Sequence, residues 1–270
     1  MKYDPVKKVF GNIVSRNVFL RKIFYKLLDL MFLRTWHIKK TIRKTFNKND
    51  KVKILDAGMG FGQYSYFLSK YFHSFSLLGV DVKEEQVEDC NYFFTKTGLG
   101  DKCKFDIADL LKLNYQNEFD FILSVDVMEH IHEDELVFRN FANALKKGGK
   151  LLVNTPSNLG GSDAHDDHDD SFIEEHARNG YSKDEIIEKI ERAGMKVKFF
   201  KYTYGKFGNI AWRFGIKYPI LIAGASKILI LILPFYYILT LWWVLFLMWL
   251  DVNSNNESGG TGINLIAEKI

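Results

Sequence analysis

From Ile228 to Leu250 the chain reads ILILILPFYYILTLWWVLFLMWL, 23 residues without a charged side chain. A run of that length can cross a bilayer as one helix. Whether it does so depends on what comes after it. The segment GTGINLIAEKI, ending at Ile270, alternates apolar and polar positions after a glycine-rich turn, the pattern of a half-buried strand. A strand hydrogen-bonded inside a sheet shares a compartment with its neighbours. If this one joins a sheet built earlier in the chain, the apolar run must leave that sheet and return to the same side. A single span is then excluded, and a re-entrant hairpin or a helix lying flat in the interface is expected.

The earlier sheet is written from Lys51 onward. KVKILDAG, SLLGVDV, CKFDIADL, FDFILSVDV, KLLVNTP and MKVKFFKYTY read as strands. Between them SYFLSKYF, EEQVEDCNYFFTKTG, EDELVFRNFANALKKGG and SKDEIIEKIERAG read as helices, the last with Ser182 as N-cap and Gly194 as stop. Strands alternating with helices call for an open, doubly wound α/β sheet covered on both faces.

With 270 residues, 47% hydrophobic and 26% charged, the chain suits one large domain carrying extra apolar sequence. The net charge of +4 conceals an asymmetry: residues 1 to 51 hold 14 Lys/Arg against 3 Asp/Glu, leaving 23 against 30 in the remainder. Inside this basic arm, Val18, Phe19, Ile23, Phe24, Leu27, Leu28 and Met31 recur at three- and four-residue spacing, with Arg21, Lys22 and Lys26 elsewhere on the cylinder. Such a helix either caps the domain or lies on an anionic membrane surface. Its interleaved aliphatics argue against a nucleic-acid partner. Two cysteines, Cys90 and Cys103, exclude a disulfide framework and fit a reducing compartment. Arg21, Lys22, Lys26 and Arg34 interrupt the apolar runs near the start, so no secretory signal is expected and the soluble part is placed on the cytoplasmic side of a membrane.

Chemistry begins at ILDAGMGFGQYSYFLSK, where Asp56 is followed by Gly58, Gly60 and Gly62 between a strand and a helix. Glycines there let the backbone turn tightly and approach a ligand. A dinucleotide site asks for G-x-G-x-x-G; here the third glycine comes one residue early and Gln63 stands at the fingerprint position, which disfavours a pyrophosphate. Asp81 ends the second strand, where a carboxylate can accept both hydroxyls of a ribose. Asp109 ends the third, where it can meet an adenine edge.

These features in this order resemble the class I S-adenosylmethionine-dependent methyltransferases, over Lys51 to Tyr204 and the final strand. The resemblance implies a Rossmann-like, seven-stranded sheet whose antiparallel last strand inserts between strands 5 and 6. It implies S-adenosyl-L-methionine as cofactor, with Asp56, Gly58, Gly60 and Gly62 at its methionine end, Asp81 on the ribose, and Asp109 and Leu110 framing the adenine. FDFILSVDVMEHI is similar to the segment that ends strand 4 beside the sulfonium in the subgroup containing quinone-biosynthesis O-methyltransferases, which adds Ser124.

The reaction so implied is an in-line displacement at a sulfonium methyl, in which the protein aligns the acceptor and, where needed, removes its proton. Asp126, Glu129 and His130 in DVMEHIHEDE would share one face if the segment were helical. His130 is the expected base, with Glu129 beside it. The same three side chains could instead hold a metal, with Mg²⁺ favoured by the oxygen-rich set, or merely order a helix start. After strand 5, the stretch from Asp163 to His176 carries seven acids and three histidines. A long loop at the carboxyl end of a strand suits substrate contact, and His176, Arg178 and Tyr181 are the substrate-side candidates. Tyr181 could equally be a packing residue before the Ser182 cap.

The expected organisation is a basic amphipathic helical arm (1–50), a methyltransferase core (51–204), an apolar membrane-associated insertion (205–258) and the final strand (259–270). Within the insertion, Tyr218 to Leu233 and Phe235 to Leu250 could form a re-entrant helical hairpin bent near Pro234, or the segment could lie flat; the alternative is a helix pair that packs on the domain or on a second subunit. A membrane-attached enzyme of this kind suggests a lipophilic acceptor: a quinone precursor, an aryl or polyketide-like lipid, or a lipid headgroup. A soluble acceptor, or a cofactor-binding scaffold without turnover, are the alternatives.

Overall fold

In the computed structural model, which describes residues 17–160, 177–225, 227–256 and 259–270, seven strands form one sheet. They are β1 (Lys51–Ala57), β2 (Ser74–Asp81), β3 (Cys103–Ile107), β4 (Phe119–Val125), β5 (Leu145–Pro156), β6 (Met195–Thr203) and β7 (Gly262–Lys269), in the order β3-β2-β1-β4-β5-β7-β6. β1 to β5 pair in parallel, and β7 runs antiparallel to both β5 and β6. The expected return of the last strand is therefore observed, with Asn264 opposite both Asn154 and Lys201.

Period-two alternation along the strands feeds two cores. Ile54, Leu77, Phe121, Leu123 and Leu152 face the side covered by α1 (Val18–Met31), α2 (Leu33–Thr45), α3 (Gln63–Tyr71) and α4 (Glu84–Lys96), where they meet Tyr25, Ile38, Leu68 and Phe93. Leu55, Ile122, Leu151 and Val153 face the other side, against Phe138 and Phe141 of α5 (Asp134–Ala144) and Ile186 and Ile190 of α6 (Lys183–Arg192). Each such side chain removed from water contributes roughly 1.5–3 kcal/mol. The predicted capping of α6 is realised: the Ser182 hydroxyl accepts the Glu185 N–H at 3.1 Å. Helix α5 ends earlier than its sequence suggests. Leu145 leaves the helix and pairs with Phe119, so LKKGG becomes an irregular start to β5.

Beyond β6 the chain leaves the sheet through α7 (Lys206–Trp212), a π turn (Arg213–Lys217), α8 (Tyr218–Ala225), a 3₁₀ stretch (Lys227–Ile232) and α9 (Leu233–Asn253). This corrects the expected helix pair. Its first arm is broken into two short pieces, α8 and the 3₁₀ stretch, and Pro234 opens α9, because a residue without N–H is tolerated only in a first helical turn. One narrow stripe of α9, Val244, Met248 and Val252, packs against Leu33 and Ala211. At its end Asp251 is fully buried and gathers donors from four sources: His37 Nε2 (2.9 Å), the N–H groups of Gly208 (3.0 Å) and Tyr204 (3.2 Å), and the Asn256 amide (3.2 Å). Burial holds His37 below its usual pKa, so a neutral imidazole donates to the carboxylate. This junction ties the apolar insertion to α2.

Candidate functional site

The glycine loop between β1 and α3 is shaped by three left-handed residues, Gly58, Gly60 and Gly62, with φ of 77°, 52° and 71°. Two of them also have no room for a side chain. A Cβ on Gly58 would lie 2.3 Å from Val127 Cγ2, and one on Gly62 2.9 Å from Cys90 Sγ. Gly60 is different, since its Cβ would meet only Gln86, at 3.7 Å, and that face of the loop stays open. The Gly60 N–H donates to one oxygen of Asp81 (3.0 Å), and the Lys83 N–H donates to the other (3.0 Å). The carboxylate at the end of β2 is thus aimed by backbone donors and keeps lone pairs for a ligand.

Asp56 sits one step back from this surface. It is buried on β1, accepts the Ser65 hydroxyl at 2.6 Å and thereby fastens β1 to α3. Burial pushes its carboxyl up to about 7. Asp109 caps a 3₁₀ turn (Leu110–Lys112) by accepting the Leu111 N–H at 3.0 Å, and Leu110 is buried beneath it. Ser124, level with Ala57 on β1, buries a hydroxyl that has no hydrogen-bond partner in the structure. An open glycine face, an aimed carboxylate and a buried hydroxyl awaiting a partner line the carboxyl end of β1, β2 and β4. Those residues fit S-adenosylmethionine: Asp81 would hold the ribose diol, the loop the methionine end, and Asp109 with Leu110 the adenine.

The segment after β4 departs from the expected helix. Asp126 has φ of 51°, and Met128–His130 is a single 3₁₀ turn, so Asp126, Glu129 and His130 do not share a helical face. Glu129 points inward, buried, and accepts the Thr155 hydroxyl at 3.0 Å; His130 is exposed at the rim. Burial first, and then the nearby Asp126, raise the Glu129 pKa, so it holds its proton at neutral pH. Among the described residues no three His, Cys, Asp or Glu side chains gather as a metal site, and the Mg²⁺ expectation gains no support.

Arg178 and Tyr181 belong to a dense internal network. The Tyr181 hydroxyl lies 2.7 Å from the Asp134 carboxylate, Arg178 and Lys189 each reach that carboxylate at 2.8 Å, and the Arg178 guanidinium stacks over the Tyr181 ring. This is the packing alternative for Tyr181, and it occupies Arg178 as well. His176 lies outside the described residues, as does the acidic stretch before it.

Sequence reasoning missed Arg34. From the start of α2 it pairs with Asp126, 92 residues away, while its backbone N–H meets the Tyr204 hydroxyl at 3.2 Å. The basic arm therefore closes over the end of β4. Nothing in the local pattern singles out Arg34 among the arm's many cations.

The methyltransferase domain family matches residues 48–198, and the chain belongs to that family. Phosphoethanolamine N-methyltransferase 3 of Arabidopsis thaliana is 34% identical over 104 residues, which cover 37% of this chain and 20% of that protein. The ubiquinone biosynthesis O-methyltransferase of Pelagibacter ubique is 27% identical over 46% of this chain and 52% of its own length. The chain thus spans about a fifth of the phosphoethanolamine enzyme and about half of the ubiquinone one. Among solved structures, phosphoethanolamine N-methyltransferase 2 of Haemonchus contortus, in complex with S-adenosyl-L-methionine, superposes with a TM-score of 0.62 at 17% identity, covering 87% of this chain and 52% of that one. A putative sarcosine dimethylglycine methyltransferase from Galdieria sulphuraria gives 0.58 at 18% identity, over 87% and 83%. Family and fold together place the chain among the class I S-adenosylmethionine-dependent methyltransferases.

Proposed function

We propose that this methyltransferase works at the cytoplasmic side of a membrane, held there by its insertion, and methylates a lipophilic acceptor. The observation that carries the reading is the outward face of α8 and α9. Trp242, Leu239, Phe235 and Trp243 are 77, 75, 69 and 68% exposed, on a helix long and apolar enough to cross a bilayer. Exposed apolar surface of this extent is costly in water and asks for a partner. In this reading α9 is seated shallowly or as part of a re-entrant hairpin, which the return of β7 to the sheet after α9 supports. Aromatic side chains suit the headgroup level.

The cofactor supplies an electrophilic methyl group when bound. The chain positions the acceptor in line with it and takes up the acceptor's proton. His130, exposed on the rim just after β4, is the proton acceptor in this proposal, and Glu129, neutral and fixed by Thr155, shapes the wall beside it. Among relatives, one is named for ubiquinone biosynthesis and another, from Debaryomyces hansenii, as a sterol 24-C-methyltransferase, and both names favour an apolar acceptor here. The test is transfer of labelled methyl from S-adenosylmethionine to a lipid extract, followed by identification of the labelled lipid. Label found only in water-soluble molecules would defeat the lipophilic acceptor.

A further inference from the structure

Helix α1 is inside out. It buries the guanidinium of Arg21, 2% exposed, while Phe19 and Leu27 stand 70 and 53% exposed with Leu20 and Ile23 beside them. At 100° per residue these four apolar side chains form one arc, Lys22 and Lys26 border one edge of it, and Arg21 and Tyr25 lie opposite. The inner face has a definite task. Arg21 donates to the carbonyl of Phe61 at 2.9 Å and of Asp89 at 2.8 Å, its Nε donates to the Tyr25 hydroxyl at 2.8 Å, and Tyr25 in turn donates to Phe61 O. Phe61 lies in the glycine loop, one residue from Gly60, whose N–H aims Asp81. Hydrogen bonds from α1 thus fix the Phe61 carbonyl, and the covalent backbone of the loop links it to the Gly60 N–H that aims Asp81.

We infer that the outer face of α1 docks on an anionic lipid bilayer, and that this contact tightens cofactor binding by holding the inner face against the glycine loop. The occupant follows from charge and continuity. An apolar arc with lysines along one edge, in an arm with 14 Lys/Arg against 3 Asp/Glu over residues 1 to 51, matches an anionic interface. The insertion packs on the element next to α1: Leu33, which opens α2 just past the extended joint at Phe32, meets Val244 and Met248 of α9. The bilayer holds α1 from outside while Arg21 and Tyr25 grip from inside. By linkage, bound cofactor must strengthen lipid binding by the same factor.

The inference rests on the membrane reading above, and the experiment separates the two. Affinity of the full chain for S-adenosylmethionine is measured by calorimetry alone, with phosphatidylcholine vesicles, and with vesicles of phosphatidylcholine and phosphatidylglycerol. Anionic vesicles should tighten binding about fivefold or more. Ile23→Glu/Leu27→Glu should still sediment with vesicles through α9, yet show no tightening. Phe19→Gln/Leu27→Gln serves as a milder pair should the first fold poorly. Wild-type protein that binds vesicles with unchanged or weakened cofactor affinity overturns the coupling and leaves the membrane reading standing, and so does tightening that survives in the α1 variants. Wild-type protein that binds neither vesicle overturns both.

Discussion

Phe121 and Leu239 are both large, apolar and set in regular structure, yet Phe121 is fully buried in the cofactor half of the molecule and Leu239 stands in the open on α9. The cofactor half spends its hydrophobic residues inward, under alternating strands and amphipathic helices. The insertion does the reverse: a stripe of α9 packs on Leu33 and Ala211, while Phe235, Leu239, Trp242 and Trp243 face outward. The driving force is the same in both regions, so the contrast teaches that α9 carries a large apolar surface without a protein partner among the described residues, the surface that the proposed membrane seating would cover.

The comparison breaks most visibly if the apolar surface is removed without disturbing the core. Phe235→Gln, Leu239→Gln, Trp242→Gln and Trp243→Gln together alter only exposed positions. The variant should lose vesicle binding and nearly all activity on a membrane-borne acceptor, while its cofactor affinity in the absence of lipid stays at the wild-type value. Sedimentation with vesicles and calorimetry check the two halves. A labelling map that put Lys206 and Asn255 on opposite sides of a bilayer would contradict the shared compartment that β7 requires.

The next effect lies at the rim. His130→Ala should lower turnover roughly 100-fold where proton removal contributes to the rate, with cofactor affinity unchanged. Single-turnover kinetics with the identified acceptor measure it. Within the cofactor half, Asp81→Ala should weaken S-adenosylmethionine binding by about 2–3 kcal/mol, because charge-assisted hydrogen bonds to the ribose are lost. Equal affinity in calorimetry would remove Asp81 from the ribose.

The smallest effect concerns pH. Asp56, with a usual value of 3.8, is raised to about 7 by burial, so the folded protein keeps a proton that the unfolded chain releases between those values. Its contribution to stability is therefore complete below about pH 4 and is lost as pH rises to about 7. Asp56→Asn should melt with wild type at the acid end and above it at pH 7 by a few degrees, as thermal scans across that window would register.

Much of the candidate cofactor surface was legible in the sequence. Gly58, Gly60, Gly62, Asp81 and Asp109 are set by strand ends and turn chemistry, which act over a few residues, and each stands at the carboxyl edge of the sheet. The region after β4 was less legible. The helical reading of Asp126 to His130 assumed continuous helical dihedrals, whereas Asp126 takes a left-handed backbone conformation and Glu129 turns inward to Thr155, a partner 26 residues away. Arg178 illustrates the same limit, since a cation near a site in sequence was absorbed by Asp134 in space.

What the sequence alone determined is local and periodic: the order of strands and helices, the glycine loop, the acids at strand ends, the capped α6, and a last strand that must come home. Periodicity and capping report on neighbours one or two turns away, and these are the same in any context. Only the tertiary structure decided which face of α1 looks inward. Counting apolar residues favours burying Phe19 and Leu27, but the carbonyl of Phe61 and the thiol of Cys90 present a polar surface that Arg21 and Tyr25 satisfy. That choice turns on the cost of leaving buried hydrogen-bonding groups without partners. It is set by atoms forty and sixty-nine residues away, which no pattern within the helix can report.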